Sequence, residues 1–155
     1  MQKTVIGKEH TAESDSWLDL KHLAHIEITS EDAEFPIESA LLADVGSGWR
    51  SSQPGEQTIR LLFNNPQRIQ RIQLEIIDEW TERIQEFVIR WLPENGTEYR
   101  DVVRQQFIFS PGGATKEFED YAVDLLEVTV LEVRIKPDLS NRPERRASLR
   151  RLRIA

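Results

Sequence analysis

The amino-acid sequence predicts an all-β protein, an antiparallel β-sandwich, and two features of the chain support this fold class. The first is an apolar period of two residues, in which apolar and polar side chains alternate over segments such as 72–76, 87–91 and 131–135. Successive side chains of a strand point to opposite faces of a sheet, so this alternation predicts strands with one face in a core and one in water. The second is the turn-forming residues that separate these segments, a pattern typical of a sandwich.

The predicted strands follow one another with little helix between them. In chain order they cover residues 24–28, 59–63, 72–76, 87–91, 102–109, 121–125, 131–135 and 152–154. Segment 59–63 is apolar enough to be more fully buried than the others, and 152–154 is predicted to close the series at an edge. Only Ser16–Leu23 has helical spacing, which predicts a short N-terminal helix or turn.

Three turn signals set the predicted strand boundaries. Asn64-Asn65-Pro66 is predicted to break one strand from the next, because proline lacks the N–H group that a central ladder needs. The segment 93–96 (PENG) is predicted to form a tight hairpin, in which the proline presets φ and Gly96 accepts a positive φ near the end. Pro111-Gly112-Gly113 is predicted to open a longer loop.

The composition is that of one folded domain. A chain of 155 residues buries roughly 68–70% of its unfolded surface. Neither a linker nor a repeat divides it, so residues 1–155 are predicted to form a single β-sandwich domain, with 1–22 as an N-terminal extension. Cysteine is absent, which excludes disulfides and a thiol nucleophile. No apolar run has the length of a signal peptide or of a membrane span, so we expect a cytoplasmic protein with no membrane partner.

The net charge of −7 is unevenly distributed along the chain. Residues 1–40 carry nine acidic residues and three lysines, whereas 136–155 carry seven basic and two acidic residues. An acidic chain is repelled by phosphate backbones at long range, which argues against nucleic acid as a partner. The basic C-terminal run is interpreted as the solvated face of a last strand, with a local anion site as the alternative.

The sequence carries no recognised catalytic motif. It lacks the nucleophile elbow, the zinc-protease helix, the phosphate-binding glycine loop and the dinucleotide fingerprint. His22 and His25 form an H-x-x-H pair, but the strand period that begins at Ala24 breaks the helical geometry of such a metal site, and no third ligand is marked. No carboxylate pair is distinguished as an acid beside an ionised base. We therefore predict that the protein is not an enzyme and requires no cofactor.

Four stretches of the chain resemble, in order, segments of one known superfamily. They are TSEDAEFPIESALLAD (29–44), GWRSSQPGEQTIRLLF (48–63), FVIRWLPENGTEYRDV (87–102), and the pair 130–135 with 149–154. They resemble the approach to the first binding loop, that loop with its following strand, a hairpin, and the closing strands of the galactose-binding-like superfamily. Discoidin, the coagulation-factor C domains and many carbohydrate-binding modules belong to it. The resemblance covers residues 24–155 and implies a jelly-roll sandwich.

Within that superfamily, the order of motifs is most similar to the N-terminal domain of the X-ray-repair scaffold protein. The similar motifs are Ala40–Asp44, Trp49-Arg50, Gly55–Ile59 and Phe107–Pro111. Secreted members of the superfamily hold a structural Ca²⁺ beside the first loop. The resemblance makes Asp44, with Ser47 and backbone carbonyls, the corresponding candidate, although no residue pattern marks a calcium site.

The resemblance also implies that binding takes place at one rim of the sandwich, where a rigid scaffold displays its loops. The candidate loops are 44–55, 78–83 and 110–117. The predicted ligand-binding residues are Asp44, Trp49, Arg50, Ser51, Trp80 and Arg83. Aromatic faces suit the C–H side of a sugar ring, and planar polar groups suit its hydroxyls. For Trp49, a structural role as a cap folded back onto the core is favoured, while for Trp80 both roles stay open.

Three functions compete at this point. The leading hypothesis is a non-catalytic binding module whose ligand is a carbohydrate, because aromatic and arginine side chains share the predicted loops. The alternative is a protein–protein interaction module, which would bind a protein partner through a sheet edge or the same rim. Binding of DNA ends through the basic segment 142–153 is the third, and it predicts affinity that falls steeply with salt.

Overall fold

The computed structural model describes residues 17–42, 46–140 and 142–155, and these form an antiparallel β-sandwich, which confirms the predicted fold class. The elements in chain order are α1 (Leu20–Leu23), β1 (Ala24–Ile28), α2 (Glu38–Leu41), β2 (Trp49–Pro54), β3 (Gln57–Ile77), β4 (Arg83–Pro93), β5 (Arg100–Phe109), β6 (Lys116–Lys136), β7 (Arg146–Leu149) and β8 (Arg151–Ile154). The short N-terminal helix is present as α1.

Two long strands, β3 and β6, form the central pair of the main sheet. They pair antiparallel along nearly their full length, from Gln57 opposite Ile135 to Ile77 opposite Lys116. The sheet order is β1-β3-β6-β4-β5, and β8 pairs with the second half of β3. As predicted, β8 is an edge strand. Strands β2 and β7 form a separate two-stranded ribbon, called the β2–β7 ribbon below.

The predicted break between two strands at Asn64-Asn65-Pro66 is wrong, because β3 runs through it as one strand of 21 residues. The pairing register of β3 with β6 shifts between Leu62 and Arg71, so Pro66 lies where no ladder bond to β6 is required of it. The shift also changes which residues face the core, from the odd positions 59, 61 and 63 to the even positions 72, 74 and 76. A bulge, and not a turn, therefore separates the two apolar segments.

Strand β6 likewise merges two predicted strands, 121–125 and 131–135, into one. Glu127 marks the junction, since it has a left-handed backbone with φ of 57° inside the strand. The predicted hairpin at 93–96 is present as a turn closed by the Gly96 N–H donating to the Pro93 carbonyl at 3.0 Å. The positive φ of this turn belongs to Asn95, at 63°, and not to Gly96 as predicted. Asparagine tolerates that region better than other residues with a side chain.

The core lies between the inward faces of these strands. Its largest fully buried side chains include Trp49, Phe87 and Phe109, together with isoleucines and leucines from β3, β4 and β6. The Phe107 ring is half-buried and packs against Phe109, with ring centroids 4.8 Å apart. Trp49 is the one member of this group that also borders the rim, because it begins β2 immediately after a loop.

Candidate functional site

A groove of about 600 Å³ lies between the β2–β7 ribbon and the loop that joins β3 to β4. The ribbon contributes one wall through β2 and the segment 144–150, and the loop contributes the other through 77–83. Four of the six predicted site residues line this groove: Trp49, Arg50, Trp80 and Arg83. Two of the three predicted loops therefore meet there, while the third, 110–117, does not contribute to its lining.

The first wall depends on the register of the β2–β7 ribbon. Trp49 lies opposite Leu149, and Arg50 lies opposite Ser148. Gly48 precedes the ribbon with φ of 85°, and a Cβ atom there would lie 2.7 Å from the Leu149 carbonyl oxygen. Glycine permits both the left-handed backbone and the close approach of the backbones at Gly48 and Leu149. Because Ala147 and Leu149 are buried, the alternate side chains of the ribbon face outward into the groove.

The second wall is a short loop organised by the Asp78 carboxylate. This group accepts hydrogen bonds from the backbone N–H groups of Trp80 and Thr81, at 2.9 and 3.0 Å, and from Arg83 Nε at 2.7 Å. The Thr81 hydroxyl donates to the same carboxylate. Burial alone would raise the pKa of Asp78, but these hydrogen bonds outweigh it and hold the pKa below its ordinary value. The carboxylate thus stays ionised and fixes the loop.

Trp80 is the most exposed large apolar side chain among the described residues, with 82% of its surface accessible. Its backbone is fixed by Asp78, yet its ring packs against nothing that would bury it. An indole left in water forgoes about 2 kcal/mol or more of burial energy, so a rigid loop that displays one suggests a contact surface. This exposure is not that of a buried core residue, and the ligand-binding role of Trp80 stays a prediction.

Arg50 projects from the opposite wall and is also exposed. Its guanidinium carbon lies 4.5 Å above the ring of Phe35, which holds the side chain in a stacked position. Its backbone N–H donates to the Phe35 carbonyl at 3.1 Å, and its carbonyl accepts from Asp32 N–H at 2.8 Å. Arg50 therefore offers guanidinium N–H groups to the groove from a fixed backbone.

Trp49 and Ser51 have roles within the fold. Trp49 is 1% exposed, and its indole N–H donates to the Ser30 carbonyl at 3.0 Å, as expected for a cap on the core. Ser51 is fully buried: its hydroxyl donates to the Gln53 carbonyl at 2.7 Å and accepts from Ala147 N–H at 3.0 Å. Ser51 does not line the groove. Its hydroxyl links strand β2 to strand β7, so Ser51 is not part of the site proposed below.

Arg83 lines the groove but its guanidinium is occupied. It is 4% exposed and donates to Asp78, to Gln85 Oε1 at 2.9 Å and to the Pro137 carbonyl at 2.8 Å, while its guanidinium carbon lies 4.5 Å above the Phe109 ring. It supports the loop that carries Trp80. Asp44, the remaining predicted site residue and the calcium candidate, lies outside the described residues.

Sequence reasoning missed the contribution of the segment 144–150 to this groove. The sequence predicts that the basic C-terminal run is the solvated face of a strand, with a local anion site as the alternative, but it does not place the segment beside Trp80, where it lines the groove. The signal that could have found it is the alternation Arg146-Ala147-Ser148-Leu149-Arg150, which is a short strand with arginines on its outer face.

Two negative findings apply to the described residues. No three His, Cys, Asp or Glu side chains in 17–42, 46–140 and 142–155 lie close enough together to hold a metal ion. In the same ranges, helices are too short and too polar to span a lipid bilayer.

Several solved structures share this architecture over almost the whole chain. CBM32-3 from a family 31 glycoside hydrolase of Clostridium perfringens is 17% identical over 92% of this chain and 96% of its own, with a TM-score of 0.63. The family 32 carbohydrate-binding module of C. perfringens NanJ, solved with galactose, is 14% identical over 89% and 96%, with a TM-score of 0.62. A pectin-binding carbohydrate-binding module is 14% identical over 86% and 90%, also with a TM-score of 0.62.

Comparisons of sequence give no match: neither a protein-family model nor a curated protein corresponds to this chain. At the identities above, the structural likeness establishes the fold. The similarity to the X-ray-repair scaffold domain stays a prediction from motif order. The chain has the galactose-binding-like jelly-roll fold of family 32 carbohydrate-binding modules.

Proposed function

We propose that this protein is a non-catalytic module that binds carbohydrate in the groove between the β2–β7 ribbon and the 77–83 loop. The observation that carries the proposal is the Trp80 ring, 82% exposed on a loop whose backbone is fixed by Asp78. Arg50 faces the same groove from the opposite wall. An exposed ring and a fixed hydrogen-bond donor across a groove are the groups that a sugar needs.

The chemistry of the two walls is complementary to the two sides of a pyranose. The C–H groups of one sugar face pack on an indole ring, where they bury apolar surface on both partners. The hydroxyls at the ring edge accept hydrogen bonds from the guanidinium of Arg50, which offers several N–H donors in one plane. Of the proteins that share the fold, the NanJ module was solved with galactose and another is a pectin-binding module. These ligands support carbohydrate as the ligand class here.

A protein–protein interaction module is the second candidate, and one apolar patch favours it. Ile84 and Ile108 face each other across β4 and the edge strand β5, with 37% and 61% of their surfaces exposed. Leu139, which is 39% exposed, is connected to them through its backbone N–H bond to the Ile84 carbonyl at 2.7 Å. An exposed apolar edge is a place where another chain adds a strand.

A glycan array separates the two candidates when it is probed with the wild type and three variants. Trp80→Ala and Arg50→Ala each remove one wall of the proposed site, whereas Phe118→Ala removes an aromatic that is 49% exposed and does not line the groove. We expect the wild type to bind a subset of glycans and both site variants to lose affinity by at least about tenfold, equivalent to about 1.4 kcal/mol. Phe118→Ala should bind as the wild type does.

Three outcomes would count against the proposal of carbohydrate binding in this groove. One is an array on which the wild type binds no glycan. Another is a glycan signal that Trp80→Ala retains in full, since the ring would then have no part in recognition. If Phe118→Ala lost as much binding as Trp80→Ala, the glycan would not bind specifically in the groove, because Phe118 does not line it.

A further inference from the structure

Three arginines on or directly beside the outward face of the β2–β7 ribbon line the groove: Arg50 in β2, Arg146 in β7, and Arg150 immediately after β7. Burial of Ala147 and Leu149 fixes the alternation, so Arg146, Ser148 and Arg150 share the opposite, outward face. Arg50 lies opposite Ser148, which places it between the other two arginines along the ribbon. The register shifts between Arg50 and Pro54, so Arg146 itself lies opposite Pro54, but positions 146 and 148 are only two residues apart on β7, about 7 Å along the strand.

Within the described part of the chain, none of these three guanidinium groups forms an ion pair. Arg50 stacks on Phe35, and Arg150 donates to the Gly46 carbonyl, so neither contact compensates a charge. Elsewhere on the molecule, several arginines are paired with carboxylates, as Arg83 is with Asp78 and Arg68 is with Asp124. Arg100, Arg151 and Arg153 also lack an ion pair among the described residues, but Arg50, Arg146 and Arg150 are the unpaired arginines that line this one groove.

The carboxylates of the groove do not compensate this cluster at close range. Asp78 is bound by Arg83, and Asp32 accepts the backbone N–H of Glu34 at 3.0 Å. Glu79 and Glu144 also line the groove, but neither lies within ion-pair distance of the three arginines. Like charges held close together repel, and an anion placed between them relieves the repulsion. The planar guanidinium matches carboxylate and sulfate oxygens in a two-point hydrogen bond.

We infer that the ligand of this groove is an acidic glycan, one whose sugars carry carboxylate or sulfate groups. The anionic group binds to the arginines of the ribbon, and the sugar ring that carries it packs on Trp80 across the groove. The inference rests on the proposed carbohydrate-binding function and specifies its ligand class. It gives the arginines of the segment 144–150 a role that a neutral sugar would not require.

Affinity electrophoresis against paired polymers tests the inference. Polygalacturonate is compared with its methyl ester, which removes the carboxylate charge, and dextran sulfate is compared with dextran. We expect at least one charged polymer to retard the protein in the gel, and its neutral counterpart to have no effect. Retardation by polygalacturonate would identify a carboxylate ligand, and retardation by dextran sulfate would identify a sulfate ligand. Arg146→Gln should weaken this retention about tenfold, because a charge-assisted hydrogen bond is lost. Arg68→Gln removes the same charge outside the groove and should change retention by less than about twofold.

Each other result overturns the inference. If neutral polymers bind as well as charged ones and Arg146→Gln has no effect, the ligand is not acidic, while loss of that binding in Trp80→Ala would still uphold the carbohydrate proposal. If no polymer retains the protein and the wild type also binds no glycan on the array, both the acidic-glycan inference and the carbohydrate proposal are wrong. If polyphosphate competes as well as the glycans do, the groove is a general anion site. If Arg68→Gln weakens retention as much as Arg146→Gln, net charge and not the groove is responsible.

Discussion

Replacing Glu132 with glutamine should lower the free energy of unfolding by about 3 kcal/mol, because it leaves three arginines without their shared counter-charge. Glu132 has no exposed surface, although it lies on the outward side of the main sheet. Its carboxylate accepts from Arg60 Nε at 2.8 Å and from Arg90 at 2.7 and 3.0 Å, and Arg134 Nε lies 2.7 Å away. Burial would raise the pKa of Glu132, but the bonds from Arg60 and Arg90 outweigh it and lower the pKa.

The position of Glu132 explains why the cost is large. Strands β3, β6 and β4 are neighbours, and Arg60, Glu132 and Arg90 lie directly across from one another in register. Removal of the central charge therefore leaves Arg60 and Arg90, on the two strands that flank β6, facing an uncharged side chain between them. The arginines retain 24–38% exposure, so water recovers part of the loss, and we expect the effect at the lower end for a broken buried pair.

Urea unfolding of Glu132→Gln beside Glu27→Gln measures this effect. Glu27 lies on the same surface, 3.9 Å from Arg60, with 52% of its side chain exposed. Its replacement should change the free energy of unfolding by no more than about 0.5 kcal/mol, as is usual for exposed pairs. Equal effects of the two substitutions would show that burial of Glu132 contributes nothing to the stability of the sheet.

Replacing Glu117 with glutamine should stabilise the protein at about pH 8 by roughly 2–3 kcal/mol, and by less than about 1 kcal/mol at pH 5. Glu117 is fully buried; Gln85 Nε2 donates to one of its oxygens at 2.9 Å, and its other oxygen has no hydrogen-bond partner among the described residues. Burial, and then the charge of Glu119, raise its pKa from 4.5 to about 7. Glutamine has nearly the shape of glutamate, and its side-chain oxygen still accepts the hydrogen bond from Gln85, but it has no ionisable group.

The direction follows from proton linkage. The unfolded chain loses the Glu117 proton near its ordinary pKa of 4.5, whereas the folded protein holds it to about 7. As pH rises between these two values the unfolded state becomes relatively more favourable, and the loss is complete above the folded pKa. Glutamine does not titrate, so the difference between variant and wild type grows over that same window. Thermal or urea unfolding at both pH values, with Glu98→Gln as an exposed control, measures it; a difference independent of pH would contradict the raised pKa.

Alternation of apolar residues was enough to predict most strands of this fold. The inward residues of β4 and of each half of β3 recur at every second position, and the sequence shows this directly. It does not show that β3 continues through Pro66, because a proline is compatible with a turn or with a bulge. Only the partner strand decides between them, and that partner, β6, lies more than 50 residues further along the chain. Bulges are long-range features and are hidden from local patterns.

The candidate site was predictable in part for the same reason. Trp80 and Arg50 stand out because a tryptophan and an arginine lie in segments rich in turn-forming or charged residues. Whether each side chain is exposed depends on neighbours far away: Trp49 is covered by the core and bonded to Ser30, whereas no part of the fold covers Trp80. Arg146 of β7 and Arg150 immediately after it join the groove through the pairing of β7 with β2, about a hundred residues earlier. The charge pattern alone predicts a solvated strand face, with a local anion site as the alternative, and does not connect these arginines with Trp80.

The four tryptophans provide a direct test of the central claim, that the groove beside Trp80 binds glycan. Trp80 and Trp49 border this groove, whereas Trp91 and Trp17 each border a different one. The measurement is a titration of isotope-labelled protein with a glycan that binds on the array, followed through the four indole N–H signals by NMR. The account predicts that the Trp80 signal shifts with saturation and that those of Trp91 and Trp17 stay in place. A saturable shift of Trp91 or Trp17 with an unchanged Trp80 signal would contradict it.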